Sequence, residues 1–397
     1  MKPIYKIIIA VLILIVLALG AYFAWKKIAS PSDGALLPDE ITPTLPLGED
    51  GQPLPVSPVG ELGEETQSEQ GITKTEGGVS LMKLSESPAF AFWIAEGTKE
   101  LYYITPQGAV FAAKDGPDLE LGTQVLDALN FVTPAPKGVK LLAAFGDPAA
   151  PSWGIFDIAD KAWKPLPAGI LNATWGENDA TLLAIFQNGG VPDLVQMDVS
   201  KNTPTYITLV KNFRLKDISL AFKSPQTLFI TEKAASVYQG RLWSFDIKTF
   251  SLQLLVGPFS GLMTGWSSDL ATLFTFSRSE KFSMYDASLR ERAPFLFSSF
   301  PTKCDVAASS ALCFVPENLQ GVSRTTLIPD DYLSRKIYSV DTLRVTHITE
   351  GGRKPLLVSN AEGIPPIDAA GVRARGSDVY FINRYDNALY KVTISQQ

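Results

Sequence analysis

The chain has 397 residues, 46% of them hydrophobic and 28 of them proline, with a formal net charge of -6 and a pI near 5.1. That length holds one large all-β domain with appendages, and the acidic balance argues against a nucleic-acid partner, which requires a basic face to neutralise phosphates. A single histidine, His347, excludes multi-histidine metal sites and leaves any Ser-His-Asp or Cys-His chemistry resting on one side chain.

After the short N-terminus 1–6, expected to be cytoplasmic, the stretch 7–25 opens at Ile7, ends at Trp25 and carries no charge. Its 19 residues, at about 1.5 Å each, span roughly 28 Å as a helix, close to the hydrocarbon core of a bilayer. This predicts a single transmembrane helix, with Tyr22, Phe23 and Trp25 at the headgroup level and Lys26 and Lys27 beyond. A cleaved signal peptide is the competing reading, with Ala18, Leu19 and Gly20 as its small-residue site, but the apolar run exceeds the usual signal length. Lysines balance across the helix, so orientation rests on the acidic segment that follows and on a cysteine pair suited to an oxidising compartment. The N-terminus is placed inside the cell membrane and the bulk of the chain outside it.

Residues 26–78 change in composition, with seven prolines between Pro31 and Pro58 and acids from Asp33 to Glu76. Apolar residues stand singly, so no burial offsets ordering entropy, and a disordered linker is expected. As a random coil it would hold the following domain about 40 Å from the membrane.

From Val79 onward one unit returns: Leu242-Trp243-Ser244-Phe245-Asp246-Ile247, with looser copies at 153–158, 194–199, 282–287 and 389–394 and fainter ones at 110–114 and 343–348. Between the copies lie hairpins, such as Trp175 with the apolar run 182–186 and Trp266 with 273–276. Period-two strands with turn punctuation, recurring every 40 to 61 residues or so, predict a β-propeller of seven four-stranded blades over 79–397. Outer strands fit at 205–210, 251–256, 294–298 and 354–358, and the long gap before Leu343 holds an insertion at about 316–341. Because the chain stops just after a third strand, the last blade needs an outer strand from elsewhere, and 79–84 is expected to supply it.

The units at 242 and 153 resemble the WD40-like repeats of bacterial cell-envelope β-propellers, the group that includes the TolB propeller. Lys303-Cys304, then Leu312-Cys313-Phe314-Val315-Pro316, Pro329-Asp330-Asp331-Tyr332 and Asp341-Thr342-Leu343 are similar to a pattern in uncharacterised membrane-anchored propeller proteins of small-genome bacterial phyla. The resemblance implies a fold and a cell-envelope location, with no catalytic residues. The chain departs from it at Arg344, where Trp is expected, and at His347, where Asp is expected.

Cys304 and Cys313, nine apart on the arms of one predicted hairpin, are read as a cross-strand disulfide contributing about 2–3 kcal/mol; buried free thiols or a redox pair are the alternatives. Asp157, Asp198, Asp246 and Asp286 recur at strand ends, where Asp bonds its own turn backbone; a carboxylate ring is the other reading. Long loops within compact repeats are often functional, so Asp330, Asp331, Tyr332 and Arg335 of the insertion form the candidate binding set, against a solvated charged loop. Phosphate loops, HExxH and Gly-x-Ser-x-Gly are missing, so no catalytic residue, metal or cofactor is assigned. The recurring Trp residues are read as core packing.

These features predict a membrane-tethered extracytoplasmic module that binds a protein, peptide or envelope polymer without catalysis. The alternative is a surface-glycan hydrolase using Asp and Glu in the propeller funnel, a chemistry that needs two carboxylates and no histidine. A structural role in assembling envelope complexes is the third reading.

Overall fold

The computed structural model describes residues 72–75, 79–114, 116–215, 217–235, 238–278, 282–292, 295, 297–317, 338–347, 353–358 and 364–394. The expected membrane helix and most of the expected linker lie outside them. Among the described residues no helix is long and apolar enough to cross a membrane.

Strands follow one another as antiparallel meanders and form seven sheets: 91–122, 129–165, 170–210, 218–260, 263–285, 304–358, and 369–394 joined by 79–83. These are blades 1 to 7 of a propeller. The first strands of successive blades touch, as Leu129–Pro134 does with Ile170–Trp175, and Ile170–Trp175 with Ile218–Ser224. First strands therefore ring the axis and fourth strands form the rim.

Each recurring sequence unit is the third strand of its blade: Val110–Lys114, Ser152–Asp157, Asp193–Asp198, Gln239–Asp246, Ser283–Tyr285, Asp341–His347 and Ala388–Ile394. The closing Asp shapes the turn, because a carboxylate oxygen reaches the N–H groups two and three residues on. Asp246 Oδ1 accepts from the Lys248 and Thr249 N–H groups at 2.9 and 2.8 Å. Asp157, Asp198 and Asp286 accept in the same way from Ala159, Ser200 and Ser288. Backbone donation from Thr249 holds the Asp246 carboxyl below its ordinary pKa. These acids are turn formers and do not converge on a ring.

Apolar side chains gather between blades. Leu142, Trp153 and Ile155 of blade 2 pack with Ile170, Leu182 and Val195 of blade 3, and Phe314 and Leu343 of blade 6 with Val379 and Phe381 of blade 7. Seven such clusters cover the seven interfaces, including blade 7 against blade 1 through Ile382, Leu389, Phe92 and Tyr103. Trp153 and Trp175 are buried in this core, as packing residues should be.

The ring closes where the sequence requires it. Val79–Lys83 pairs with the last strand from Val79↔Ile394 to Lys83↔Tyr390. A further strand, Ile72–Thr75, pairs outside it, so the sheet extends into the stretch read as linker. Blade 5 has three strands among the described residues, with one bridge from Tyr285 to Glu291; the outer strand expected at 294–298 falls partly on residues outside those described. Phe295 is 6% exposed, with its ring centroid 5.1 Å from that of Phe282.

Leu81, 3% exposed and opposite Val392, carries the closure. Leu81→Ala is expected to lower unfolding free energy by about 2–5 kcal/mol in urea denaturation, as for other buried leucines, and deletion of 79–83 to abolish cooperative unfolding.

Candidate functional site

Because neighbouring strands are antiparallel, the entry to each first strand and the turn from second to third strand share one end of the disk. At that end, four connections from blades 5 to 7 converge. The link from blade 5 to blade 6 ends in the 3-10 turn Pro301–Lys303. Gly265 makes room for it, since a Cβ there would lie 2.8 Å from the Cβ of Pro301. Ser339 and Asp341 close the blade 6 insertion, Asp368 precedes Ala369–Arg375, and Arg384 follows Asp378–Asn383.

Lys303, Ser339, Asp341 and Asp368 are all 0% exposed, and Arg384 is 4% exposed. Lys303 Nζ donates to Asp341 Oδ2, to Asp368 Oδ1 at 2.6 Å and to Ser339 Oγ at 3.0 Å, using all three of its hydrogens. Asp341 also accepts from the Ala369 N–H at 2.8 Å and, through Oδ1, from Ser339 Oγ at 2.7 Å. Asp368 Oδ2 accepts from the Ser339 N–H at 3.1 Å and from Arg384 Nη1 at 2.9 Å. Asn383 Oδ1 takes the Asp368 N–H at 3.0 Å. Two cations and two carboxylates thus balance in a dry site, with each carboxylate oxygen engaged.

Burial pushes the Asp341 carboxyl above its ordinary pKa, and the Asp368 charge adds to the rise, while the Lys303 ammonium opposes it. The roof is aromatic. Tyr338 and Tyr385, 41% and 43% exposed, have ring centroids 5.4 Å apart, and the Arg384 guanidinium lies 5.0 Å from the Tyr338 centroid. Tyr385 donates its hydroxyl to the Ser339 carbonyl at 3.1 Å, and burial raises its pKa, so it stays a donor.

The cluster clamps the base of the insertion. Pro316 pairs with Asp341, and the Glu317 N–H donates to the Val340 carbonyl at 2.7 Å, so the chain leaves and returns at one point. Asp330, Asp331, Tyr332 and Arg335 lie outside the described residues. Chemically the cluster is saturated: every hydrogen on the lysine is committed and both carboxylates are shielded from solvent. It can hold a loop in place, and it offers no free nucleophile or base.

Two residues further on, Asp305 is 0% exposed and accepts four hydrogen bonds. Two come from Ser268, through N–H at 2.9 Å and the hydroxyl at 2.5 Å, one from the Val306 N–H at 2.8 Å and one from the Ala374 N–H at 2.7 Å. Between Lys303 and Asp305 sits Cys304, directly opposite Cys313 with Cα atoms 4.2 Å apart and joined to it as a disulfide. Three consecutive residues therefore bind blades 5, 6 and 7 together. His347 ends its strand opposite Ser310.

Sequence reasoning passed over Asp368, Ser339 and Arg384, and quoted Lys303 and Asp341 without linking them. The partners of Lys303 are 38 and 65 residues away, beyond any local motif. The one usable signal was a lysine set directly before a core cysteine.

No protein-family profile and no curated protein matches this sequence. Solved structures do. The β-propeller domain of Cps50 (Swd1) from Myceliophteria thermophila is 10% identical over 82% of this chain and 99% of that one, with a TM-score of 0.50. Oligogalacturonate lyase from Vibrio parahaemolyticus is 10% identical over 82% and 97%, with a TM-score of 0.54. TolB from Acinetobacter baumannii is 12% identical over 80% and 64%, and its TM-score of 0.34 gives that likeness no weight. At such identities the likeness shows the seven-bladed fold alone.

Lys303→Met leaves two buried carboxylates without their shared cation and is expected to cost about 3–5 kcal/mol at neutral pH. Asp341 binds its proton more tightly folded than unfolded, so its ionisation opposes folding as pH rises from its unfolded pKa through its folded one. Removing the lysine strengthens that effect. The gap between parent and variant in urea denaturation should widen from pH 5 to pH 8.

Proposed function

We propose that this chain is a membrane-tethered, extracytoplasmic propeller that binds a protein or envelope polymer through the insertion of blade 6 and the face around it, without catalysis. The observation that carries this reading is the saturated cluster at the stem of the insertion. Burying two ion pairs is a costly way to gain stability, since apolar residues of similar volume do as well or better, so its use here fits a demand for position. An insertion whose two ends are held on a rigid propeller, beside two half-exposed tyrosines, suits a recognition surface.

The tether reading rests on the uncharged stretch 7–25, and the outward placement on the disulfide pair. Structural neighbours include, by name, a lyase and a β-propeller domain, and at 10% identity no activity transfers from either. The hydrolase alternative asks for two funnel-facing acids about 5–9.5 Å apart, one with a raised pKa. Asp341 has the raised pKa, but it and Asp368 are both sealed from solvent and share the same lysine and serine.

A photo-crosslinking residue at Tyr385 in the full-length chain tests the proposal in intact cells. One reproducible adduct, lost when 318–337 is replaced by a short Gly-Ser linker, is the expected outcome. Cleavage of a glycan by the purified chain, abolished by Asp341→Asn while the fold persists, would overturn it.

A further inference from the structure

An outer strand presents unpaired backbone groups, and folds guard such edges with charge, proline, short length or cover. Most rims of this ring are guarded. Blade 1 ends in Gly116–Gly122, with Pro117, Asp118 and Glu120; blade 2 in the four-residue Ala162–Pro165, with Lys164 and Pro165; blade 6 in Arg353–Val358, with Arg353, Lys354 and Pro355. Blade 7 is covered by the short Ile72–Thr75, which carries Lys74.

The blade 3 edge lacks these defences, and so does the first half of the edge of its neighbour, blade 4, where Pro258 comes only late in the strand. Thr205–Val210 reads Thr-Tyr-Ile-Thr-Leu-Val, with no charge, proline or glycine, and its first four residues are exposed. Ser251–Ser260 begins Ser-Leu-Gln-Leu-Leu-Val, again uncharged and exposed over its first four residues. The two edges share an apolar interface. Ile207 lies in the cross-strand row of Gln196 and Leu183, and Leu252 stands opposite Phe245. Leu183 and Phe245 belong to one buried cluster between the blades. That core continues to the rim, where Ile207 is 61% exposed, Leu252 44%, Leu254 41% and Phe250 55%.

We propose that the edge Thr205–Val210 accepts an extended segment of another protein as a fifth strand, with its apolar side chains covering the exposed residues of blades 3 and 4. Strand addition supplies backbone hydrogen bonds, and alternate side chains supply selectivity. Charge specifies the partner further. Exposed Lys201, Lys211 and Arg214 flank the edge, and Lys248 lies beside the next one. The nearby Asp193 and Asp198 accept from the Asn212 and Ser200 N–H groups and keep their charge, so the three flanking cations outnumber these two carboxylates by one. The matching segment has alternating apolar residues with carboxylates at its ends. A second copy of this chain is disfavoured, because antiparallel pairing of Thr205 with Val210 across a two-fold axis sets Lys201 against Arg214.

This inference deepens the binding reading and rests on it. The test uses the full-length chain with two synthetic peptides, an alternating Val-Thr hexamer flanked by paired glutamates and the same hexamer flanked by paired lysines. Backbone hydrogen exchange and fluorescence anisotropy give the readouts. The glutamate peptide is expected to protect the amides of 205–210 and to bind at least about ten-fold more tightly than the lysine peptide. Ile207→Lys should remove the protection, and Val358→Lys on the blade 6 rim should leave it intact. Absent protection, equal binding of the two peptides, or a dimer in sedimentation that Ile207→Lys dissociates would each overturn the proposal. If the peptides fail while Tyr385 still captures a partner, the rim assignment alone falls; if both fail, so does the binding reading.

Discussion

A ring of sheets is stable only if its last edge finds a partner, and here that partner comes from the other end of the chain. The pairing of Val79–Lys83 with Ala388–Ile394 turns seven meanders into a closed disk. Blade 7 packs on blade 1 only because of it, through Ile382 and Leu389 against Phe92 and Tyr103. The contact spans more than three hundred residues of sequence: the Leu389 N–H donates to Ser85 Oγ at 2.9 Å. A closure of that range costs loop entropy before any contact repays it. The seven inter-blade cores are therefore coupled to one short strand, and the ring has no second seam that could absorb its loss.

Much of this was legible in the residues. The Asp-closed unit at Leu242 to Ile247 and its copies marked all seven third strands, because a middle strand is apolar on both faces and its turn needs a side-chain acceptor, two signals that reinforce each other. Cys304 and Cys313 were legible because a hairpin fixes register locally. The burial of Phe295 was not legible, because it depends on Phe282 and Phe274, which its local pattern does not point to but which lie near it in space. The charged cluster stayed hidden for a stronger reason. Lys303, Asp341, Asp368 and Arg384 look like ordinary surface residues, and only their convergence from four connections makes them buried.

Blade 6 concentrates three kinds of constraint in the sequence Lys303-Cys304-Asp305. The lysine holds the insertion stem and the entry to blade 7, the cysteine staples the first hairpin, and the aspartate gathers N–H groups from blades 5 and 7. A buried carboxylate that accepts four hydrogen bonds from uncharged donors depends on all of them being in place. The start of this first strand is thus fixed twice over, by ion pairs at Lys303 and by neutral donors at Asp305. The stem of the insertion, where Pro316 pairs with Asp341, is tied through Lys303 to this strand.

The two surfaces singled out differ in a way that follows from their construction. The face above Lys303 is built on saturated polar groups, so a partner there gains no new hydrogen bond from the cluster and must be recognised by the insertion and the tyrosines. The rim of blades 3 and 4 has the opposite character, with unsatisfied backbone and apolar side chains that lose area to water. Ile207, Leu252 and Leu254 lie half-exposed at the outer margin of an interface whose buried part is filled by Leu183, Ile230 and Phe245. Guarding four edges and leaving Thr205–Val210 bare is hard to explain by folding alone, because a lysine like those on the edges of blades 2 and 6 would place its charge in solvent at the exposed position 207.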